Sequence, residues 1–124
     1  MKILSIDTSS NICSVSILED ENIILEKQNN DMKTHSQKLM PLVDELFNET
    51  KLKLKDIDLF ACCVGPGSFT GIRIGVSTIK AFADVTGLPV VGVTSLEGLA
   101  YNLKRNGYIC SVIDAKNDNV YYGL

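Results

Sequence analysis

Apolar and polar positions alternate most clearly in "NICSVSILED", where Cys13, Val15 and Ile17 fall on one side and Ser14 and Ser16 on the other. A period of two marks a half-buried strand. The run before it, "KILSID", reads as a buried strand, and the intervening "TSSN" is turn chemistry, so the pair is expected to form a hairpin. "NIILEKQ" predicts a third, shorter strand. The period then lengthens. In "THSQKLMPLVDELFNET" Leu39, Val43, Leu46 and Phe47 share one helical face, and Thr34 with Gln37 makes a capping box. Pro41 lies past the first turn of that helix and predicts a kink or an irregular start. "IDLFACCVG" is a continuous apolar run of the kind found in central parallel strands. A glycine-rich turn follows, then a helix stopped by Gly87, a strand "LPVVGV", and a helix "SLEGLAYNLKRNG" expected to end at Gly107.

The resulting order, β-β-β-α-β-α-β-α, is an α/β plan with a mixed sheet. It resembles one lobe of the actin/Hsp70/sugar-kinase superfamily (ASKHA, ribonuclease H-like), although a fold plan by itself says little about function. The tail "ICSVIDAKNDNVYYGL" repeats the opening "ILSIDTSSNICSVSI" in kind. Each has an apolar strand ending Ile-Asp (Ile6-Asp7 and Ile113-Asp114), a short polar turn and an alternating strand. Residues 1–107 are therefore expected to form a first lobe, and residues 108–124 the opening hairpin of a second lobe whose remainder is missing. A hairpin with nothing to pack on is marginal in water. The alternative is an edge hairpin that completes a one-lobe domain.

Composition narrows the function. The chain has 124 residues, about one domain, enough for a single core. Its net charge is −3, and no basic run exceeds Lys104–Arg105. Alone it is expected to bind nucleic acid poorly, since such affinity comes mainly from phosphate neutralisation. No stretch approaches the roughly 18 apolar residues a membrane span needs. "MKILSID" leaves no room for the apolar region of a signal peptide before Asp7, so the cytoplasm is expected. Cys13, Cys62, Cys63 and Cys110 lie in apolar, strand-like runs without a C-x-x-C pair and are expected to be buried free thiols. His35 is the only histidine, which excludes an H-E-x-x-H zinc site and any pair of histidine ligands. No metal site is expected, and His35 is expected to make local hydrogen bonds at the start of its helix.

"GPGSFTGIRIG", Gly65 to Gly75, raises the question of chemistry, because a glycine turn between strand and helix often cradles phosphate. A Walker A loop needs Gly-Lys-Ser/Thr, which is absent. A G-x-G-x-x-G fingerprint needs its third glycine one residue before Gly71. Neither fits. The helix that follows carries one polar stripe, Arg73, Ser77, Lys80 and Asp84, and apolar positions over much of the rest. A helix lying on a sheet needs one apolar face about 100° wide, so this one is expected to bury a second face elsewhere. Gly71 and Gly75 would let another backbone approach closely, each at about 1 kcal/mol of helix stability against alanine. The expected partner interface is Gly71, Ile72, Gly75, Val76 and Ile79, with Leu39 and Val43 of the preceding helix. The alternative is that the preceding helix supplies all the cover. Gly65 and Gly67 are expected to take backbone angles closed to other residues, and Ser68 or Thr70 to cap the helix.

Four stretches together resemble the bacterial TsaB (YeaZ) family: "GPGSFTGIRIG", the opening "MKILSIDTSS", "HSQKLMP" at His35–Pro41, and "DAKNDNVYYGL", where members have an Asp-Ala-Arg-like turn before an aromatic strand. The resemblance covers the whole chain. It implies a non-catalytic partner of the TsaD enzyme that, together with the TsaE ATPase, helps place a threonylcarbamoyl group on N6 of adenosine 37 in tRNA. It also implies homodimers, or pairing with TsaD, through first-lobe helices, contact with tRNA only through the complex, and no cofactor of its own. The single histidine agrees with a partner that lacks the histidine-pair metal site of TsaD-like enzymes. Superfamily kinases follow the first-strand Asp with a glycine-containing phosphate turn, whereas Asp7 is followed by Thr8, Ser9 and Ser10. Side chains there hinder close approach of backbone to phosphate, which leaves Asp7, Thr8 and Ser9 as weak cofactor candidates. The alternative reading is an ASKHA-fold ATPase or small-molecule phosphotransferase using Asp7 and Thr8. Against a peptidase stand the lone histidine and the lack of a nucleophile–base pair.

Overall fold

Leu4 pairs with Ile17 and Ile6 with Val15 across the first hairpin, so the alternation in the sequence becomes one continuous apolar face. The computed structural model describes residues 1–30 and 35–124. The elements are β1 (Lys2–Asp7), β2 (Cys13–Glu19), β3 (Asn22–Asn29), α1 (His35–Thr50), β4 (Leu59–Cys63), α2 (Phe69–Thr86), β5 (Val90–Val93), α3 (Ser95–Tyr101), β6 (Ser111–Lys116) and β7 (Asn119–Gly123). The five-stranded sheet runs β3-β2-β1-β4-β5. β1 is antiparallel to β2, β2 to β3, and β1, β4 and β5 are parallel, which is the expected mixed sheet.

One face of the sheet carries the core. Leu4, Ile6, Val15, Ile17, Phe60 and Cys62 are buried there beneath Leu39, Leu42, Val43 and Leu46 of α1 and Ile79 of α2. Full burial of each such side chain contributes about 1.5–3 kcal/mol, enough together to hold both helices to the sheet. Ser68 caps α2, its hydroxyl accepting from the Gly71 amide at 3.1 Å. Gly87 closes α2 at φ 72°, donating its amide to the Ala83 carbonyl at 2.7 Å.

Four expectations need correction. β3 spans eight residues, longer than any other strand, because it pairs along the whole of β2 despite a bulge at Ile17/Leu18. α3 stops at Tyr101 rather than Gly107, with the Leu103 amide folding back to the Ala100 carbonyl at 3.1 Å. Most helical stability comes from a packed face, and Tyr101 and Leu103 are exposed. Cys110 precedes β6 and is exposed, while Cys13 and Cys62 are buried and Cys63 is half-buried; all four are free thiols. His35 is buried, and its hydrogen bond is not local, as described below. Pro41 sits within α1, whose span is uninterrupted. The capping box with Thr34 lies outside the described residues. Among the described residues no helix is long and apolar enough to cross a membrane.

β6 and β7 form a separate two-stranded sheet that leans on α3. Within β6, at a register irregularity, Asp114 repeats a contact that Asp7 makes at the end of β1. Asp7 Oδ1 accepts from the Ser9 amide at 2.9 Å, and Asp114 Oδ1 from the Lys116 amide at 2.8 Å. The internal repeat therefore extends to the same two-residue Asx turn.

Candidate functional site

The crevice outside the carboxyl ends of parallel strands is where open α/β sheets bind ligands. Here those ends bring together the Asp7–Ser10 turn after β1, the Gly65–Ser68 turn after β4, and Thr94–Ser95 after β5. Gly65 has φ 97°, a conformation that favours glycine, and its peptide to Pro66 is cis. Gly67 is needed for a different reason. A Cβ there would stand closer than 3.0 Å to the Ser9 carbonyl oxygen. At Gly71 the same addition would strike the Thr8 carbonyl oxygen, and at Gly75 the Thr8 hydroxyl. Three glycines thus let the Thr8–Ser9 backbone lie directly on the start of α2. Thr8 is fully buried and donates its hydroxyl to the Gly71 carbonyl. The Ser68 amide donates to the Ser9 carbonyl at 2.7 Å, the Gly71 amide to Ser68 Oγ, and the Ile72 amide to the Ser68 carbonyl at 2.9 Å. A phosphate cradle presents such donors to its ligand; here the Ser68, Gly71 and Ile72 amides are engaged within the chain. Gly67 and Gly71 serve the packing of α2 against the β1 turn.

On the other face of the sheet a line of polar groups runs along the crevice. Ser9 Oγ donates to Asp7 Oδ1 at 2.6 Å and lies 3.5 Å from Ser95 Oγ. Ser95 Oγ donates to the Pro66 carbonyl at 2.7 Å, its amide donates to the Gly65 carbonyl at 2.9 Å, and Cys63 Sγ is 3.1 Å from its hydroxyl. These groups border an open cavity of about 740 Å³ between the sheet and α3, floored by Ile3, Ala61, Val91 and Val93 and flanked by Leu99 and Ile113. Of the weak cofactor candidates, Asp7 and Ser9 line this cavity, and Thr8 faces α2 instead. His35 Nε2 lies 2.8 Å from the Ser10 carbonyl, which can only accept, so this nitrogen is the donor, and buried Nδ1 has no hydrogen-bond partner among the described residues. No group of three His, Cys, Asp or Glu side chains among the described residues is placed to hold a metal. Burial, and secondarily the Asp7 carboxylate, pushes the Cys13 thiol up, and burial does the same to Cys62, so both stay neutral.

The expected partner surface divides. Leu39, Val43, Gly71, Gly75 and Ile79 are buried inside the lobe, and Ile72 and Val76 are half-buried. The expected close approach of a backbone occurs at Gly71, where it is the chain's own β1 turn and not a second helix, while Gly75 is met by the Thr8 and Ile6 side chains. What α2 presents to solvent includes the predicted polar stripe, Arg73, Ser77, Lys80 and Asp84, and two apolar residues, Phe69 at its start, 75% exposed, and Val85 near its end, 82% exposed. The Arg73 guanidinium sits 5.4 Å above the Phe69 ring, a cation–π pair. Sequence reasoning missed Phe69, whose only signal was an aromatic residue at the first helical position. It also missed the Thr94–Glu97 capping box that starts α3, although the S/T-x-x-E spacing was legible. Hydrogen bonds from the Thr94 amide and then its hydroxyl hold the Glu97 carboxyl below its usual range.

Comparison with known proteins gives a consistent picture. The family model for TsaD, tRNA N6-adenosine threonylcarbamoyltransferase, matches residues 22–124. The tRNA threonylcarbamoyladenosine biosynthesis protein TsaB of Bacillus subtilis (strain 168) is 38% identical over 125 residues, covering 100% of this chain and 55% of the relative. TsaB of Escherichia coli (strain K12) is 34% identical, covering 98% of this chain and 54% of the relative. The solved structure of YeaZ from Pseudomonas aeruginosa superposes with a TM-score of 0.86 at 33% identity, over 98% of this chain and 58% of that one. RuvC of Thermus thermophilus, with a TM-score of 0.53 at 11% identity over 77% of this chain and 65% of that one, shares the fold alone. The chain spans about half the length of the curated relatives it matches.

Proposed function

This chain belongs to the TsaD family and, within it, to the TsaB (YeaZ) proteins, and from that premise we propose that the full-length protein is the non-catalytic partner of a TsaD-like enzyme in threonylcarbamoyladenosine formation on tRNA. One observation carries the reading. The turn that would handle phosphate is filled by Thr8 and Ser9 of the same chain, while the helix it starts keeps an aromatic–cation pair exposed on its outer face. A turn whose glycines are packed by the same chain, at the head of a helix that still presents a surface, suits a scaffold. Phe69 and Arg73, flanked by the half-buried Ile72 and Val76, form the surface that meets the TsaD-like subunit, and in its absence a second copy in an isologous dimer. A TsaE-like ATPase completes the complex, tRNA is engaged through it, and the location is cytoplasmic. Residues 108–124 open a second lobe in this reading; the repeated Asx turn at Asp7 and Asp114 and the greater length of the relatives support it.

The test is association. Phe69→Ala and Arg73→Glu should each weaken capture of the TsaD-like subunit about tenfold or more, as loss of an interface anchor does. They should also shift the light-scattering mass of the isolated protein toward monomer. Variants that keep the wild-type circular dichroism and bind with unchanged affinity would overturn this surface. The rival, an ASKHA-fold ATPase or phosphotransferase built on Asp7, predicts micromolar binding of Mg-ATP in titration calorimetry; the scaffold reading predicts none.

A further inference from the structure

We propose that the connector between α3 and β6 is an RNA-contact surface, with Lys104 and Arg105 taking backbone phosphates and Tyr101 offering its ring to an unstacked base. The proposal rests on the tRNA-modification reading above and assigns a part of the molecule which that reading leaves idle. Because α3 stops at Tyr101, the chain turns back on itself, and Tyr101, Lys104, Arg105 and Asn106 come to line one open concavity of about 760 Å³ together with the apolar Ala100, Leu103 and Ile109. Tyr101 is 89% exposed in this chain. Among the described residues neither Lys104 nor Arg105 joins an ion pair. No acidic residue lies between Glu97 and Asp114, so this stretch carries +2 in a chain whose total is −3. The one carboxylate at the rim, Glu97, is turned back on its own helix start, accepting from the Thr94 amide at 2.8 Å and hydroxyl at 2.9 Å.

Unpaired cations beside a bare aromatic ring match the chemistry of single-stranded nucleic acid, where a positive groove tracks the backbone and aromatic rings stack on bases. The charge favours a polyanion over a protein partner: residues 98–113 carry two cations and no carboxylate. The patch is small and the chain acidic, so its binding alone is weak and becomes useful when a catalytic subunit holds the same RNA.

The experiment measures fluorescence anisotropy of a labelled 12-nucleotide single-stranded RNA titrated with the full-length protein at several salt concentrations. The double variant Lys104→Glu, Arg105→Glu should bind at least fivefold more weakly at about 50 mM salt. Its slope of log affinity against log salt should fall by about 1.4, two phosphates at about 0.7 each on a single strand. Tyr101→Ala should lose about fivefold or more with the slope unchanged, and Tyr101→Phe should keep the affinity. All these side chains are exposed, and circular dichroism checks the fold. An unchanged slope in the charge-reversed variant, or no saturable binding by wild type, overturns the proposal. So does a charge-reversed variant that loses the TsaD-like subunit while keeping its RNA affinity, because the patch would then be a protein interface. If wild type fails to capture that subunit, the partner reading falls while the anisotropy result still decides this one.

Discussion

Replacing Gly71 and Gly98 in turn by alanine should move stability in opposite directions. In an exposed helix interior, glycine to alanine stabilises by about 1 kcal/mol through propensity alone. Gly98, in α3, has nothing within 4 Å of an added Cβ, so Gly98→Ala should raise stability by up to about 1 kcal/mol. Gly71 sits at the start of α2 with the Thr8 carbonyl oxygen closer than 3.0 Å to that position. The obstacle is backbone, and the next residue is tied to Ser68 by a 2.7 Å hydrogen bond, so it cannot yield without shifting the β1 turn. Overpacking of this kind costs about 1–3 kcal/mol, and loss of the Thr8–Gly71 hydrogen bond adds about 1 kcal/mol. After the propensity gain, Gly71→Ala should be destabilised by about 1–3 kcal/mol. For a chain of this size each kcal/mol lowers the melting temperature by about 4 °C. Urea titration followed by circular dichroism reads both variants, and equal slopes show that only stability changed. If Gly71→Ala proves as stable as wild type while Gly98→Ala gains as stated, the close approach of Thr8 to α2 is not what requires glycine, and the packing account of the signature fails. At Gly75 the obstacle is the Thr8 hydroxyl, so a bulky residue there should unsettle the lobe itself before any association surface.

Two further outcomes follow from the same structure. Ser68→Ala removes the acceptor for the Gly71 amide at the head of α2 and should cost about 1 kcal/mol in the same urea assay, with Thr70→Ala close to neutral. Cys13 and Cys62 have thiols raised by burial. Above about pH 8.5 the unfolded chain releases protons that the native state retains, so the stability present below that pH should decline as pH rises further. Removing both thiols, as Cys13→Ala with Cys62→Ala, should flatten that decline, and an unaltered pH profile would show that other groups govern it.

Much was legible in the sequence because it depends on local chemistry. The alternation of Cys13, Val15 and Ile17 defined which side of β2 is buried, and the apolar run at Leu59–Cys63 marked a central parallel strand. The polar stripe from Arg73 to Asp84 is the exposed face of α2, and the repeated Ile-Asp turn is built alike at both places. Pattern also showed that Gly71 and Gly75 admit a close neighbour. It did not show which. That required the parallel pairing of β1 with β4, which sets the Thr8–Ser9 turn over the start of a helix more than sixty residues later. Likewise, nothing near His35 in the chain names Ser10 as its partner, and α3 has the pattern of a longer helix than it forms. Local propensity and periodicity act over a few residues and are written in order along the chain. Which glycine is filled, which histidine nitrogen is bound and where a helix stops depend on contacts across long sequence separations, and only the packing of the sheet against its helices decides those.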